Sequence, residues 1–196
     1  MADYLDLNYC PQCGGSLQER PAHGRTRRYC PACKRVVFRD PKVAAGMLAT
    51  REDGAVLLVR RGTEPGQGLW SIPAGFVEHD EAPSATAIRE CREETGLEVA
   101  LEGLLDIIPG EGLPGEASFL IVYHGQALQG QLQAGDDADR AAFFALDSLP
   151  PLAFASTRTA LRKWSDRVPR FSASDTGAER RCGTSSRPRA RDGGST

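Results

Sequence analysis

The sequence predicts an α/β domain built on a mixed sheet, with a small cysteine-rich module before it and a polar tail after it. Four of the six cysteines form two tight pairs before residue 40. Between residues 41 and 165, apolar runs typical of strands alternate with two helical patterns. From residue 166 to 196 the chain turns to Ser, Gly, Arg and Asp, a composition that predicts a disordered basic tail.

Composition excludes several classes of protein. The 196 residues are 40% hydrophobic and 26% charged, which is the balance of a globular chain. The formal net charge of -2 gives no overall reason to expect a nucleic-acid or membrane partner. No apolar run approaches the roughly 18 to 20 residues that span a bilayer. The start of the chain carries Asp3 and Asp6 instead of a signal-peptide pattern, so we expect a cytoplasmic protein.

The predicted elements follow one another in an order that suits a mixed sheet between helices. Asp53 and Gly54 separate two apolar runs, which is a hairpin signal. The first helix lies between Pro83 and Gly96, residues that favour a helix start and a helix end respectively. We expect strands at residues 42–50, 55–60, 69–73, 98–108, 119–125 and 141–146, and helices at 84–95 and 157–164.

Both cysteine pairs have metal-site spacing. Cys10 and Cys13 form one Cys-x-x-Cys, Cys30 and Cys33 form another, and 16 residues separate the pairs. This pattern predicts a structural Zn²⁺ held by four thiolates, because four protein ligands leave no open position for water. Disulfides or a redox pair fit the pattern less well. We expect the basic residues nearby to offset the thiolate charge rather than to bind phosphate.

One helix face carries three carboxylates. Glu90, Glu93 and Glu94 lie at i, i+3 and i+4, which places them together on a helix. Arg89 is four residues before Glu93 and can pair with it. Glutamates alone are equally typical of a solvated helix face, but a hard cation such as Mg²⁺ would stabilise this cluster. Cys91 lies on the opposite, apolar face and is expected to be a small buried residue.

The surrounding residues match a longer pattern, Gly-x5-Glu-x7-Arg-Glu-U-x-Glu-Glu-x-Gly-U, where U is a bulky apolar residue. This segment resembles the Nudix box, with Cys91 in the first U position. The resemblance implies an enzyme, a Nudix hydrolase with an α/β/α sandwich, and it extends from Cys10 to about Trp164. The matching residues are Gly75, Glu81, Arg89, Glu90, Glu93, Glu94, Gly96 and Leu97.

By this resemblance, Mg²⁺ or Mn²⁺ is bound by Glu90 and Glu94 with Glu93 close by, and the carbonyl near Gly75 adds an oxygen. Glu81 and Arg89 brace the site. A further acidic ligand from a late loop aligns with Asp137; the alternative for Asp137 is an ordinary turn residue.

A cysteine ribbon before a Nudix domain resembles two groups of enzymes, the NADH pyrophosphatases and enzymes acting on FAD or ADP-ribose. The first group usually carries a Ser-Gln-Pro-Trp-Pro-Phe-Pro-x-Ser array, and residues 101–120 have none. The expected activity is therefore hydrolysis of ADP-ribose or FAD to release AMP. NADH or NAD-cap hydrolysis, and a non-catalytic ligand sensor, are the alternatives.

Substrate contacts are assigned less directly by the sequence. Trp70 is a candidate to stack on a base, with core packing as the alternative. Arg60 and Arg61 are candidates to meet phosphate, with a surface role as the alternative. The resemblance also implies a possible homodimer, while a nucleic-acid or membrane partner is not expected.

Overall fold

The computed structural model describes residues 7–38, 40–110 and 117–167, and the predicted tail beyond residue 167 lies outside the described residues. Residues 7–38, here named the ribbon, form an antiparallel sheet in the order β1-β2-β3. A small cluster of Cys10, Leu17, Cys30 and Val37 is buried within it. The strands are β1 (Gln18–Ala22), β2 (Arg25–Cys30) and β3 (Arg35–Val37).

The second sheet has seven strands in the order β10-β5-β4-β9-β8, with β6 added to β5 and β7 added to β4. Strands β4 and β9 run parallel, and the other pairs run antiparallel, so the predicted mixed sheet is confirmed. Its elements are β4 (Val43–Thr50), β5 (Val56–Arg61), β6 (Trp70–Ser71), β7 (Ala74–Phe76), α1 (Pro83–Thr95), β8 (Leu97–Pro109), β9 (Phe119–Gly130), β10 (Ala138–Phe144) and α2 (Ala155–Arg167).

The central strand β4 separates two apolar cores. Its residues alternate between the two faces of the sheet, as the period of two requires. Ala45 and Met47 pack in the cluster that contains α1, while Ala44 and Leu48 pack in the cluster that contains α2. A helix on each face makes the predicted α/β/α sandwich, and burial on both sides explains why β4 is apolar throughout.

Helix α1 begins one residue before the predicted start. Pro83 occupies its first turn, and the preceding Ala82 offers no side-chain cap. At the other end, Gly96 has φ 72°, and its N–H donates to the Arg92 carbonyl, as the predicted glycine stop requires. Cys91 is fully buried, which raises the pKa of its thiol to about 12 and confirms it as a core residue.

Strand β7 was not predicted, yet it anchors the region that leads into α1. It pairs with β4 through Ala44 and Phe76, Ala45 and Gly75, and Gly46 and Ala74. Only three residues long, it gives too short a period-two pattern to detect from sequence. The predicted turn at Gly54 is present, with the Gly54 N–H donating to the Arg51 carbonyl.

The two described helices have 13 residues each. Roughly 20 are needed to cross a bilayer, so within the described part of the chain no helix could span a membrane. The predicted boundaries between residues 40 and 41 and between 165 and 166 stay a proposal.

Candidate active site

A cavity of about 370 Å³ opens beside β7 and the carboxylate face of α1. Acidic residues and apolar residues both line this cavity, as expected for a site that holds a charged ligand with an apolar part. The acidic lining residues are Glu78, Glu90, Glu94, Asp136 and Asp137. The apolar lining residues include Ala44, Ile72, Phe76, Leu120 and Phe154.

Glu90 lies directly over the backbone of Gly75. A Cβ atom added at Gly75 would lie 2.0 Å from Glu90 Oε1 and 2.1 Å from its Cδ, so any larger residue there would displace the Glu90 carboxylate or the β7 backbone. Burial raises the pKa of Glu90, and Arg89 opposes that shift. The close approach of the Glu90 carboxylate to the β7 backbone therefore explains why a glycine occupies position 75.

Glu94 is the most deeply buried of the three helix carboxylates, at 4% exposure. The Ala74 N–H donates to it, but its Oε2 has no hydrogen-bond partner among the described residues. Burial, together with the nearby charges of Asp137 and Glu90, raises the pKa of Glu94 to about 9. A buried carboxylate oxygen without a partner, beside two further carboxylates, is a suitable ligand for a hard cation.

Arg89 connects the helix carboxylates to Glu81. Its guanidinium donates to Glu81 through two bonds of 3.0 Å, and its NH1 donates to Glu90 at 2.7 Å and Glu93 at 2.8 Å. Glu81 also accepts a bond from the Thr86 hydroxyl. Arg89 and Thr86 lower the pKa of Glu81 to about 2. These bonds tie Glu81 to the helix carboxylates through Arg89, whose positive charge reduces repulsion between the glutamates.

The other predicted metal-site residues lie nearby at different depths. Glu93 is half exposed and is held by Arg89. Asp137 lines the cavity close enough to Glu94 to raise its pKa. The charge of Asp136, the residue before Asp137, likewise raises the pKa of Glu90. The loop before β10 therefore brings two aspartates to the carboxylate cluster, and the sequence had favoured only one of them.

The three candidate substrate residues lie in different places relative to the cavity. Arg61 lines the cavity; its Nε donates to the Pro65 carbonyl at 2.6 Å, and its guanidinium lies 5.1 Å from the Phe154 ring centre. Arg60 instead forms two bonds with Asp139 and is not part of the lining. Neighbouring strand residues point to opposite faces, which explains why only one arginine reaches the cavity.

Trp70 also lies outside the cavity lining. It packs edge-on against Phe144 with ring centres 4.8 Å apart, in the core cluster on the α2 side of the sheet. Core packing, the alternative given by the sequence, describes this position. Neither Arg60 nor Trp70 is therefore among the residues that line this cavity.

Sequence reasoning missed several residues that line the cavity. Phe76 and Glu78 occupy variable positions of the box, so the pattern gives them no weight. Phe154 and Ser156 belong to the segment at the start of α2, where no periodic signal marks a ligand site. An aromatic residue directly after Gly75 of the box was the one sequence signal available.

The Sγ atoms of the four ribbon cysteines form one cluster. All are free thiols, and their Sγ atoms lie within 4.8 Å of one another. The Cys13–Cys30 and Cys10–Cys33 sulfur distances are 3.6 and 4.0 Å. Tetrahedral Zn²⁺ with bonds of about 2.3 Å requires sulfurs about 3.8 Å apart, so the cluster fits zinc. Backbone N–H donors lower the pKa of Cys10 to about 7, whereas the neighbouring thiols and burial raise the pKa of Cys33 to about 12.

Comparison with known proteins agrees with this geometry. The NUDIX domain family model matches residues 40–166. An ADP-ribose pyrophosphatase of Methanocaldococcus jannaschii is 35% identical over 119 residues, covering 60% of this chain and 70% of that protein. The NAD-capped RNA hydrolase NudC of Pseudomonas aeruginosa is 32% identical over 145 residues, covering 74% of this chain but only 50% of that protein.

Solved structures show the same fold. A NUDIX hydrolase from Nitrosomonas europaea superposes with a TM-score of 0.71 at 27% identity, covering 82% of this chain and 91% of that one. A MutT NUDIX hydrolase from Burkholderia pseudomallei superposes with a TM-score of 0.58 at 30% identity, covering 64% and 98%. The chain belongs to the Nudix hydrolase family, and its relatives include pyrophosphatases.

Proposed function

We propose that this chain is a divalent-metal-dependent pyrophosphatase that hydrolyses ADP-ribose or FAD and releases AMP. The observation that carries the proposal is the buried Glu94 carboxylate, which lines the cavity and has one oxygen without a hydrogen-bond partner in the part of the chain that the structure describes. Mg²⁺ requires oxygen ligands of this kind, and Mn²⁺ accepts them as well. A diphosphate in the cavity would lie beside the same acidic group.

The chain's own residues would hold the cation and the diphosphate. Glu90 and Glu94 would be the main ligands, with a carbonyl near Gly75 and the carboxylates of Glu93 and Asp137 close by. The bound cation would supply Lewis-acid chemistry, neutralising phosphate charge and lowering the pKa of a water. In the reaction, the water oxygen bonds to one phosphorus while the bond from that phosphorus to the bridging oxygen breaks.

Three further residues would position the substrate. Arg61 lies within 4.0 Å of Asp137 and stacks on Phe154, so its guanidinium can donate to a phosphate held at the acidic group. Phe154 and Phe76 supply apolar surface for the remainder of the substrate. Arg89, which donates to Glu81, Glu90 and Glu93, would hold these carboxylates in place at the edge of the cavity.

In the ribbon, we propose a structural Zn²⁺ bound by the thiolates of Cys10, Cys13, Cys30 and Cys33. The support is the sulfur geometry and the small size of the surrounding core, which has too little apolar surface to stabilise 32 residues without a metal.

The choice of ADP-ribose or FAD has two supports. The archaeal relative named as an ADP-ribose pyrophosphatase matches over 70% of its own length. The NudC relatives match over about half of theirs, and residues 101–120 lack the aromatic-proline array of the NADH group. Hydrolysis of NAD caps on RNA is the second candidate, because NudC is among the relatives.

The test is hydrolysis of ADP-ribose, FAD, NADH, NAD, NAD-capped RNA and ATP in Mg²⁺, with products separated by chromatography. Glu94→Gln should lose activity on the order of 100-fold or more, since even indirect support of a metal ligand is worth 10–100-fold. Glu52→Gln, in an exposed turn, is the matched control and should keep full activity.

Each outcome discriminates between the candidates. AMP from ADP-ribose or FAD, lost in Glu94→Gln, supports the proposal. Preferred cleavage of NADH or of capped RNA would show that the argument from the missing array is wrong. Tight ligand binding without turnover would favour the sensor alternative.

A further inference from the structure

One face of the ribbon sheet carries arginines and aromatic rings. Strand partners that lie opposite each other share a face, and residues alternate along each strand. The registers Arg20↔Arg27 and Ala22↔Arg25 therefore put three arginines on one face, and Gln18↔Tyr29 adds Tyr29 to it. We name this the arginine face: Gln18, Arg20, Ala22, Arg25, Arg27, Tyr29, Val36 and Phe38.

The side chains of this face contact each other in arginine–aromatic pairs. The Arg20 guanidinium lies 4.8 Å from the centre of the Tyr29 ring, and that of Arg27 lies 5.0 Å from the centre of the Phe38 ring. Phe38 is 51% exposed. Planar cations and rings held together at a surface are the groups that bind phosphates and stack on bases.

The charge of the arginine face is not balanced within the described chain. Residues 7–38 contain six basic side chains and a single acidic one, Glu19. Glu19 lies opposite Arg28 in the register and pairs with it at 3.8 Å, on the other face. Among the described residues, no carboxylate forms an ion pair with Arg20, Arg25 or Arg27.

The thiolate cluster does not account for these arginines. Cys30 lies in β2 one residue after Tyr29, so its side chain points to the opposite face, where it is buried with Leu17 and Val37. Arg35 pairs with Cys30 in the register and so lies on the face of the sulfur cluster, where its NH1 donates to Gln12 Oε1 at 2.8 Å. Arg20, Arg25 and Arg27 lie on the other face of the sheet, away from the sulfur cluster.

We propose that the arginine face binds single-stranded nucleic acid, with phosphates on Arg20, Arg25 and Arg27 and bases stacked on Tyr29 and Phe38. Rings set beside cations on a sheet surface, with Phe38 exposed and Tyr29 half-buried, match the stacking and electrostatic chemistry of single-strand binding. An anionic membrane or an acidic peptide would bind to the positive charge of the arginines, but neither would require the two aromatic rings. The inference is independent of the substrate cleaved at the carboxylate cluster.

The experiment is fluorescence anisotropy of the full-length chain with labelled single-stranded RNA and DNA of about 12 nucleotides, a length within the range of single-strand sites. Binding is measured across a salt series. The triple variant Arg20→Gln, Arg25→Gln and Arg27→Gln should reduce the salt slope by about 2, because each phosphate contact contributes about 0.7. At about 0.1 M salt this corresponds to about a 100-fold loss of affinity.

The matched control removes the same charge elsewhere. Arg92, Arg140 and Arg162 are exposed and lie outside the ribbon, so their triple replacement by Gln should leave affinity within about threefold. The double variant Tyr29→Leu and Phe38→Leu keeps the charge and should weaken binding at least about fivefold with an unchanged salt slope. Circular dichroism and thermal melting check that each variant is folded, and single replacements substitute for any variant that is not.

Several results would overturn the proposal. Equal affinity of the ribbon triple variant and its control would show that the arginines are not engaged. Equal binding of duplex, or of phosphatidylserine vesicles, would show that the rings are not used to stack on bases. Hydrolysis of small substrates should be unchanged in all these variants, so failure of nucleic-acid binding and failure of the proposed pyrophosphatase activity are separable.

Discussion

Gly75→Ala offers the sharpest test of the carboxylate site, because the structure fixes what the added atom would meet. The new Cβ would lie 2.0 Å from Glu90 Oε1, and ordinary contact begins near 3.4 Å. The carboxylate, the β7 backbone or both must move by more than about 1 Å. A misplacement of about 1 Å in a catalytic constellation costs on the order of 100-fold in rate, so kcat/KM should fall by about that factor.

The assay combines turnover with metal binding. We expect weaker Mn²⁺ binding by calorimetry and slower hydrolysis of the preferred substrate, while the melting temperature changes little. Gly75 does not have a positive φ, so alanine carries no backbone penalty there. Gly103→Ala is the matched control, since its Cβ would meet only the end of the His124 side chain at 3.3 Å.

A double-mutant cycle shows whether the clash is the cause. If Gly75→Ala acts only by displacing Glu90, adding it to Glu90→Ala should have little further effect. Full activity of Gly75→Ala, or an additive loss in the double variant, would refute this account of Gly75.

Three other perturbations have defined outcomes. Because the folded pKa of Glu94, about 9, lies above the unfolded value of 4.5, the metal-free protein should lose stability as pH rises through this window. Metal-free Glu94→Gln should therefore melt higher than wild type at pH 8, and a lower melting temperature would contradict the burial argument. The pKa of Glu81 is lowered from 4.5 to about 2, so its stabilisation is complete above about 4.5 and is lost as pH falls towards 2. Glu81→Gln should show a shallower fall of melting temperature between pH 5 and pH 3, and an unchanged slope would refute the contribution. Cys30→Ser, or removal of metal by a chelator, should unfold the ribbon and open Arg27 and Arg28 to trypsin; resistance equal to wild type would show that the ribbon needs no metal.

Local pattern was enough to predict much of the framework. The i, i+3, i+4 spacing placed Glu90, Glu93 and Glu94 on one helix face, and Gly96 marked the helix end. These are properties of a periodic backbone and of a residue that adopts positive φ easily, so they can be predicted from neighbours in sequence. The cysteine pairs are similar, because ligand chemistry and spacing restrict what they can form.

Other features depended on contacts between distant parts of the chain. Arg60 and Arg61 are adjacent and chemically identical, and only the strand's orientation in the sheet decided which one reaches the cavity. The position of Trp70 in the core depends on the packing of Phe144 against its ring. Asp136 and Phe154 join the site from loops that carry no periodic signal.

By itself the sequence determined the family, the carboxylate helix and the four-cysteine module, because each is encoded in residues close together along the chain. Only the tertiary structure decided that Glu90 rests on Gly75, that one buried oxygen of Glu94 has no hydrogen-bond partner among the described residues, and that three arginines and two rings share one face of the ribbon sheet. Burial and strand register arise from the packing of distant segments, and local sequence does not specify them.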